Sequence, residues 1–76
     1  MSASRRFAVN RVLRGKCCIS PAVIELQGDA ILTYYALTRE QAFTEWLGGT
    51  VEIRHDPDGL HAYMDGIRLN AEEIFL

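Results

Sequence analysis

Residues 6–13 alternate, with Phe7 and Val9 against Ala8 and Asn10, and the phase then breaks at Val12-Leu13. This period of two is the mark of a strand. A turn at Arg14-Gly15 leads into residues 16–19, and Ser20-Pro21 interrupts because proline lacks a ladder donor. Ala22, Ile24 and Leu26 share the next face, with Val23 and Glu25 behind them, and Gln27-Gly28-Asp29 supplies a tight connection. Residues 30–37 are apolar on both faces, Ile31, Thr33, Tyr35 and Leu37 against Leu32, Tyr34 and Ala36. That pattern predicts a central strand covered on two sides.

The spacing predicts one helix, over residues 39–47. Thr38 is a good N-cap, Gln41 completes the T-x-x-Q capping box, and Ala42/Trp46 and Phe43/Leu47 form an apolar stripe ended by Gly48-Gly49. So short a helix depends on packing Phe43, Trp46 and Leu47 against a sheet. Alternation returns with Val51 and Ile53 inward and Thr50, Glu52 and Arg54 outward. Asp56-Pro57-Asp58-Gly59 reads as a turn, after which Leu60, Ala62 and Met64 face in while His61 and Tyr63 face out. Asp65-Gly66 is a strong two-residue hairpin signal returning to residues 67–69. Asn70 caps a turn, and the sequence closes on Ile74-Phe75-Leu76, an apolar run expected to dock on the core or meet another chain.

The pattern describes a single domain over residues 1–76, of the α+β class but mainly β: a small antiparallel sheet or roll of about six short strands with one short helix packed on it. Composition agrees, with 49% apolar and 24% charged residues, the proportions of a globular protein and not a disordered one. A chain this short buries only about 60% of its unfolded surface, so some staple or partner would help it. No apolar run approaches the ~20 residues of a membrane span, and no secretory leader pattern follows Met1, so neither a membrane nor secretion is expected.

Eight basic and ten acidic side chains conceal an asymmetry: Arg5, Arg6, Arg11, Arg14 and Lys16 precede every acid. A basic segment can bind nucleic acid, but the pI of about 5.5 lies far below the ~9 usual for such domains. Pairing with acidic neighbours across a sheet is the expected role, and nucleic acid is not an expected partner. Cys17 and Cys18 are adjacent. Neighbours on a strand point to opposite faces, so they are badly placed to bond each other, one being expected buried and one near the surface. A reducing, cytoplasmic setting follows as the expectation.

Gly15, the run Val23-Ile24-Glu25-Leu26-Gln27-Gly28-Asp29-Ala30-Ile31 and then Gly48-Gly49-Thr50-Val51 resemble the opening of amidohydrolase-superfamily enzymes. Those chains begin with a small β-sandwich carrying such hairpins, and the resemblance implies a free-standing roll or sandwich like that accessory subdomain. The family places an H-x-H metal pair next. Glu52-Ile53-Arg54-His55-Asp56 stands there in this chain, without a second histidine two residues away. No catalytic residue carries over.

Chemistry is sparse. A metal would draw on Cys17, Cys18, His55 and His61, but the cysteines lack C-x₂₋₄-C spacing and the histidines flank a turn. Turn chemistry accounts for Asp56, Asp58 and Asp65 better than a calcium loop does. No serine or cysteine is spaced to be activated by a histidine, and Gly48-Gly49 follows the predicted helix instead of opening one, so it builds no phosphate site. The expectation is therefore a non-catalytic protein-interaction or accessory module with no metal and no cofactor. Its expected partner is a protein or a second copy of the chain in a homodimer. The expected interaction surface is Tyr63 and His61 on the outward face with Ile74, Phe75 and Leu76. The alternatives are a small-ligand or metal-binding domain using His55, His61 and a cysteine, and an accessory subdomain of an amidohydrolase-like enzyme.

Overall fold

A computed structural model describes residues 3–39 and 42–76. In order these form β1 Arg5–Val9, β2 Arg11–Arg14, β3 Cys17–Ile19, β4 Ala22–Gln27, β5 Ala30–Ala36, β6 Thr44–Trp46, β7 Thr50–Asp56, β8 Gly59–Met64 and β9 Ile67–Arg68, then one 3-10 turn, Ala71–Glu73. The strands make two sheets, of order β5-β4-β1-β6 and β3-β2-β7-β8-β9. Both are mixed: β1 runs parallel to β6, β2 runs parallel to β7, and the remaining pairs are antiparallel.

The two parallel pairs arise from one corner. β1 continues into β2 through Asn10, and β6 continues into β7 through Leu47, Gly48 and Gly49, so two neighbouring chains pass from one sheet to the other side by side. Leu47 N and Gly48 N donate to Ala8 O (2.9 and 3.1 Å), and Asn10 N donates to Gly49 O (3.0 Å). The Asn10 side chain completes the stitch by accepting from Gly49 N at 2.6 Å. Gly48 and Gly49 hold φ of 76° and 73°, the left-handed region that costs other residues about 1–2 kcal/mol. They are a bend between sheets and not a helix cap.

The inner faces meet as the alternation predicts. Phe7 and Val9 of β1, Ala22, Ile24 and Leu26 of β4, Val12, Val51, Ile53 and Ala62 of the second sheet and Ala71 form one buried cluster. Phe7, Ile24, Leu26, Val9, Val12 and Val51 are completely or almost completely buried, each large one contributing about 1.5–3 kcal/mol. The hairpin signals also hold. Asp65 (φ 54°) and Gly66 (φ 79°) join Met64 to its partner Ile67 as a two-residue turn with both central residues at positive φ. Asn70 caps the 3-10 turn by accepting from Glu72 N.

The expected antiparallel sheet of about six strands is, among the described residues, nine strands in two mixed sheets, because the shared corner sets β1 beside β6 and β2 beside β7 in parallel, and three further expectations are corrected. No α-helix occurs among the described residues: Thr44, Glu45 and Trp46 lie in register with Arg6, Phe7 and Ala8 of β1. Ala42 and Phe43 form a turn, and Gln41 of the expected capping box lies outside the described residues. A nine-residue helix is marginal alone, whereas the outer edge of β1 presents backbone groups that need partners, and Thr and Trp favour strands. Second, β5 is an edge strand and not a central one, and its Leu32 is 52% exposed. Third, Cys17 and Cys18 are both exposed, because β3 is a three-residue edge lying beyond the core.

The apolar residues on the back of β4 and β1 still find cover. Val23 and Ala8 are buried although they face away from the core cluster. In register they lie between Tyr35 of β5 and Trp46 of β6. Arg6 on this outer face donates to Ala42 O at 3.0 Å.

Candidate functional site

Two polar clusters concentrate the chemistry. The first is built on the β7–β8 hairpin. Alternation places His61 and Tyr63 on the face opposite Ala62, as expected, but His61 is only 4% exposed because the β4–β5 turn closes over it. His61 Nδ1 lies 2.7 Å from Asp29 O. A carbonyl can only accept, so Nδ1 carries a proton. Nε2 lies 3.1 Å from the Asp58 carboxylate, also an acceptor, so both ring nitrogens face groups that favour the protonated ring. The Asp29 carbonyl raises the His61 pKa above its ordinary value, with Asp58 assisting, against burial and the nearby Arg68 charge.

Tyr63 extends the network. Its hydroxyl donates to Asp56 Oδ2 at 2.6 Å and accepts from Arg68 Nε and Nη2 at 3.2 and 3.1 Å. Arg54 stacks over its ring, 4.5 Å from the centroid. Arg68 from β9 also reaches Asp56 (3.0 Å) and Asp29 (3.2 Å), with Asp58 at 3.9 Å. The Tyr63 hydroxyl, and then Arg68, hold the Asp56 carboxyl below the usual range. Ligand atoms of Asp56, Asp58 and His61 lie within 4.8 Å of one another and are the described residues that could hold a metal ion. Arg68 already supplies cationic charge there. What the arrangement does is tie the β4–β5 turn, the β7–β8 turn and β9 together.

The second cluster centres on Arg5, which the sequence reading treated only as one base among several. Its Nε and Nη2 donate to the two carboxylate oxygens of Glu45 at 2.8 and 2.6 Å. Nη1 donates to Ile74 O at 2.7 Å and to Ala71 O, and the guanidinium lies 4.8 Å from the centre of the Phe7 ring. Arg5 thus joins β1, β6 and the C-terminal segment. The bidentate bond from Arg5 pulls the Glu45 carboxyl below its usual range. A shallow groove beside it is lined by Ala3, Arg5, Ala71, Glu72, Ile74 and Phe75, with Leu76 at its end. The signal that could have singled out Arg5 was there: it stands two residues before Phe7, in phase with Phe7 and Val9.

The predicted surface residues therefore part company. Ile74 packs against the core, while Phe75 and Leu76 are 90% and 68% exposed. His61 and Tyr63 belong to the first cluster and present little free surface. The most exposed aromatics besides Phe75 are Phe43 (94%) and Trp46 (60%), which the expected helix would have buried. The ligand set of His55, His61 and a cysteine does not assemble. Arg54 and not His55 faces His61 across the ladder, and β3 with both cysteines lies at the far side of that sheet from β8. The basic segment does pair with acids, Arg5 with Glu45 and Arg6 with Glu25. No helix among the described residues is long and apolar enough to cross a membrane.

No protein-family model, curated protein or solved structure matches this chain, and nothing in those comparisons links it to an amidohydrolase subdomain.

Proposed function

We propose that this chain is a non-catalytic interaction module whose partner, a different protein, docks over the Arg5 corner. The observation that carries this reading is that Phe75 and Leu76 are exposed although the segment bearing them is fastened. Arg5 holds Ala71 O and Ile74 O, and Ile74 is packed on the core. An apolar pair on a fixed base enters an interface with little ordering cost, and aromatic residues supply much of the energy of such contacts. Glu72 and Glu73 are exposed just before the pair, so the complementary surface is an apolar pocket rimmed by Lys or Arg. The first cluster supports a non-catalytic role, since its acids and its histidine are engaged with one another and with Arg68. Exposed, unbonded Cys17 and Cys18 fit a reducing cytoplasm.

The test places the photo-crosslinking residue p-benzoylphenylalanine at Phe75, and in a control chain at Lys16, in the producing cell. A discrete adduct from Phe75, absent from Lys16 and lost both on Arg5→Ala and on Glu72→Lys with Glu73→Lys, supports the reading. Equal labelling from the two positions overturns it. An adduct with the mass of two copies of this chain also overturns the assignment to a different protein.

A further inference from the structure

The four edges of the two sheets are unequally guarded. β3 has three residues and follows Lys16, β6 has three with Glu45 at its centre, and β9 has two and includes Arg68. Short length, charge, proline and bulges each help keep a strand edge from pairing with another chain, and β5 has only the last of these. β5, Ala-Ile-Leu-Thr-Tyr-Tyr-Ala, has seven residues and neither a charge, a glycine nor a proline. Among the described residues its only ladder partner is β4. Its register against β4 slips so that Leu26 faces Ile31 and Glu25 faces Thr33, which leaves Leu32 as the extra residue of a bulge. Leu32 is 52% exposed, and Ala30, Thr33 and Ala36 are exposed as well.

We infer that β5 is a self-association edge, at which a second copy of this chain adds its own β5 antiparallel about a two-fold axis to join two four-stranded sheets into one. Charge selects this occupant. Any two-fold register within Ala30–Ala36 brings only uncharged residues together. Asp29, already paired with Arg68, precedes the strand and Arg39 and Glu40 follow it, and antiparallel pairing sets Asp29 near the Arg39 of the second copy. The same operation on β6 would set Glu45 against Glu45, so the second copy belongs at β5 and not there. Seven residues at 3.4 Å make an edge about 24 Å long, which at the thickness of one layer is roughly 240 Å² per partner. The total for both partners, about 480 Å², is short of the ~1,200 Å² of stable complexes, so the dimer is weak and reversible.

Sedimentation velocity on the full chain reads this out over a concentration series from about 10 µM to 1 mM, the range of such contacts. The expected result is a weight-average mass that climbs from one chain toward two. Thr33→Lys, which brings two cations together at the axis, is expected to weaken association at least about tenfold with an unchanged far-UV spectrum. Ile67→Lys on β9 is expected to leave it as it was. Should Thr33→Lys fail to fold, Leu32→Lys on the exposed bulge makes the same test. A wild-type chain that stays monomeric throughout overturns the inference, as does association that survives both lysine variants. The crosslink from Phe75 is independent of these outcomes, so this inference and the proposed docking at the Arg5 corner fail separately.

Discussion

Replacing Arg5 with alanine removes one side chain and four hydrogen bonds reaching Glu45, Ala71 and Ile74. The ion pair alone is a minor part, since Arg5 and Glu45 are 27% and 38% exposed and such pairs contribute only about 0.2–1 kcal/mol. The two carbonyl bonds weigh more, because a charged donor to a carbonyl is worth up to ~1.5–3 kcal/mol, here reduced because the freed carbonyls regain water. Contact with the buried Phe7 ring adds about 0.5–1 kcal/mol. The expected loss is about 2–3 kcal/mol, which in a domain of this size lowers Tm by roughly 10–20 °C. Arg5→Lys keeps the charge but lacks the fork, and is expected to recover less than half of that loss. Differential scanning calorimetry gives the magnitude. Hydrogen exchange at Ala71 and Glu73, whose amides donate to Gly28 O and Asn70 O, shows whether the segment is released. High salt separates the causes, because at 1 M the Debye length falls to ~3 Å and a screened ion pair is lost while bonds to carbonyls persist. A Tm change under about 3 °C, or 1 M salt reproducing the alanine phenotype in full, would refute the reasoning.

Gly49→Ala forces a side chain into φ 73° with its Cβ 3.1 Å from Met64 Cε, so a loss of about 1–2 kcal/mol in urea unfolding is expected. Ile24→Ala empties a fully buried position at about 2–5 kcal/mol, enough to leave much of a small domain unfolded by far-UV circular dichroism at room temperature. His61 carries a raised pKa, facing the Asp29 carbonyl, Asp58, Asp56, Arg68 and, across the ladder, Arg54. Its contribution to stability is therefore complete below the ordinary value of ~6.5 and fades as pH rises through the folded value. Tm of the wild type is expected to decline over that interval while His61→Gln is flat, and parallel curves would exclude the imidazolium. Glu45 and Asp56 have lowered pKa values, so the opposite limb, loss of stability on acidification below the usual carboxylate range, is expected to shrink in Glu45→Gln.

Local patterning revealed which residues face inward. Ala22, Ile24 and Leu26, Val51 and Ile53, and Ala62 all sit in the core, and the turns at Gly28 and Asp65-Gly66 fall where their φ preferences place them. Order within the sheets was not legible, because it is set by contacts between residues far apart in sequence. Residues 44–46 read as helix from their own spacing, yet the open edge of β1 forty residues earlier captured them. β5 read as central because it is apolar on both faces. It is in fact the margin of its sheet, with β4 as its one ladder partner among the described residues, so apolar faces did not imply two flanking strands. His61 alternated outward correctly and was then buried by a turn from the other sheet, an event outside any window along the chain.

Strand exchange at the Asn10–Gly49 corner is what makes the surface legible in turn. Passing β1 into β2 and β6 into β7 commits each sheet to one parallel pair and pushes β5 and β6 to opposite margins of the smaller sheet. The two margins then differ by chemistry alone. β6 carries Glu45, whose charge is taken up by Arg5 in the same bond set that fastens the C-terminal segment, so that margin presents Phe75 and Leu76 beside a neutralised charge, with Trp46 exposed on the opposite face. β5 carries no charge to neutralise and presents backbone. Side chains on a fixed base suit a partner with a pocket, whereas an open ladder suits another strand. A single topological device thereby yields two surfaces of different kinds on a chain of 76 residues, and a variant at one margin is not expected to alter binding at the other.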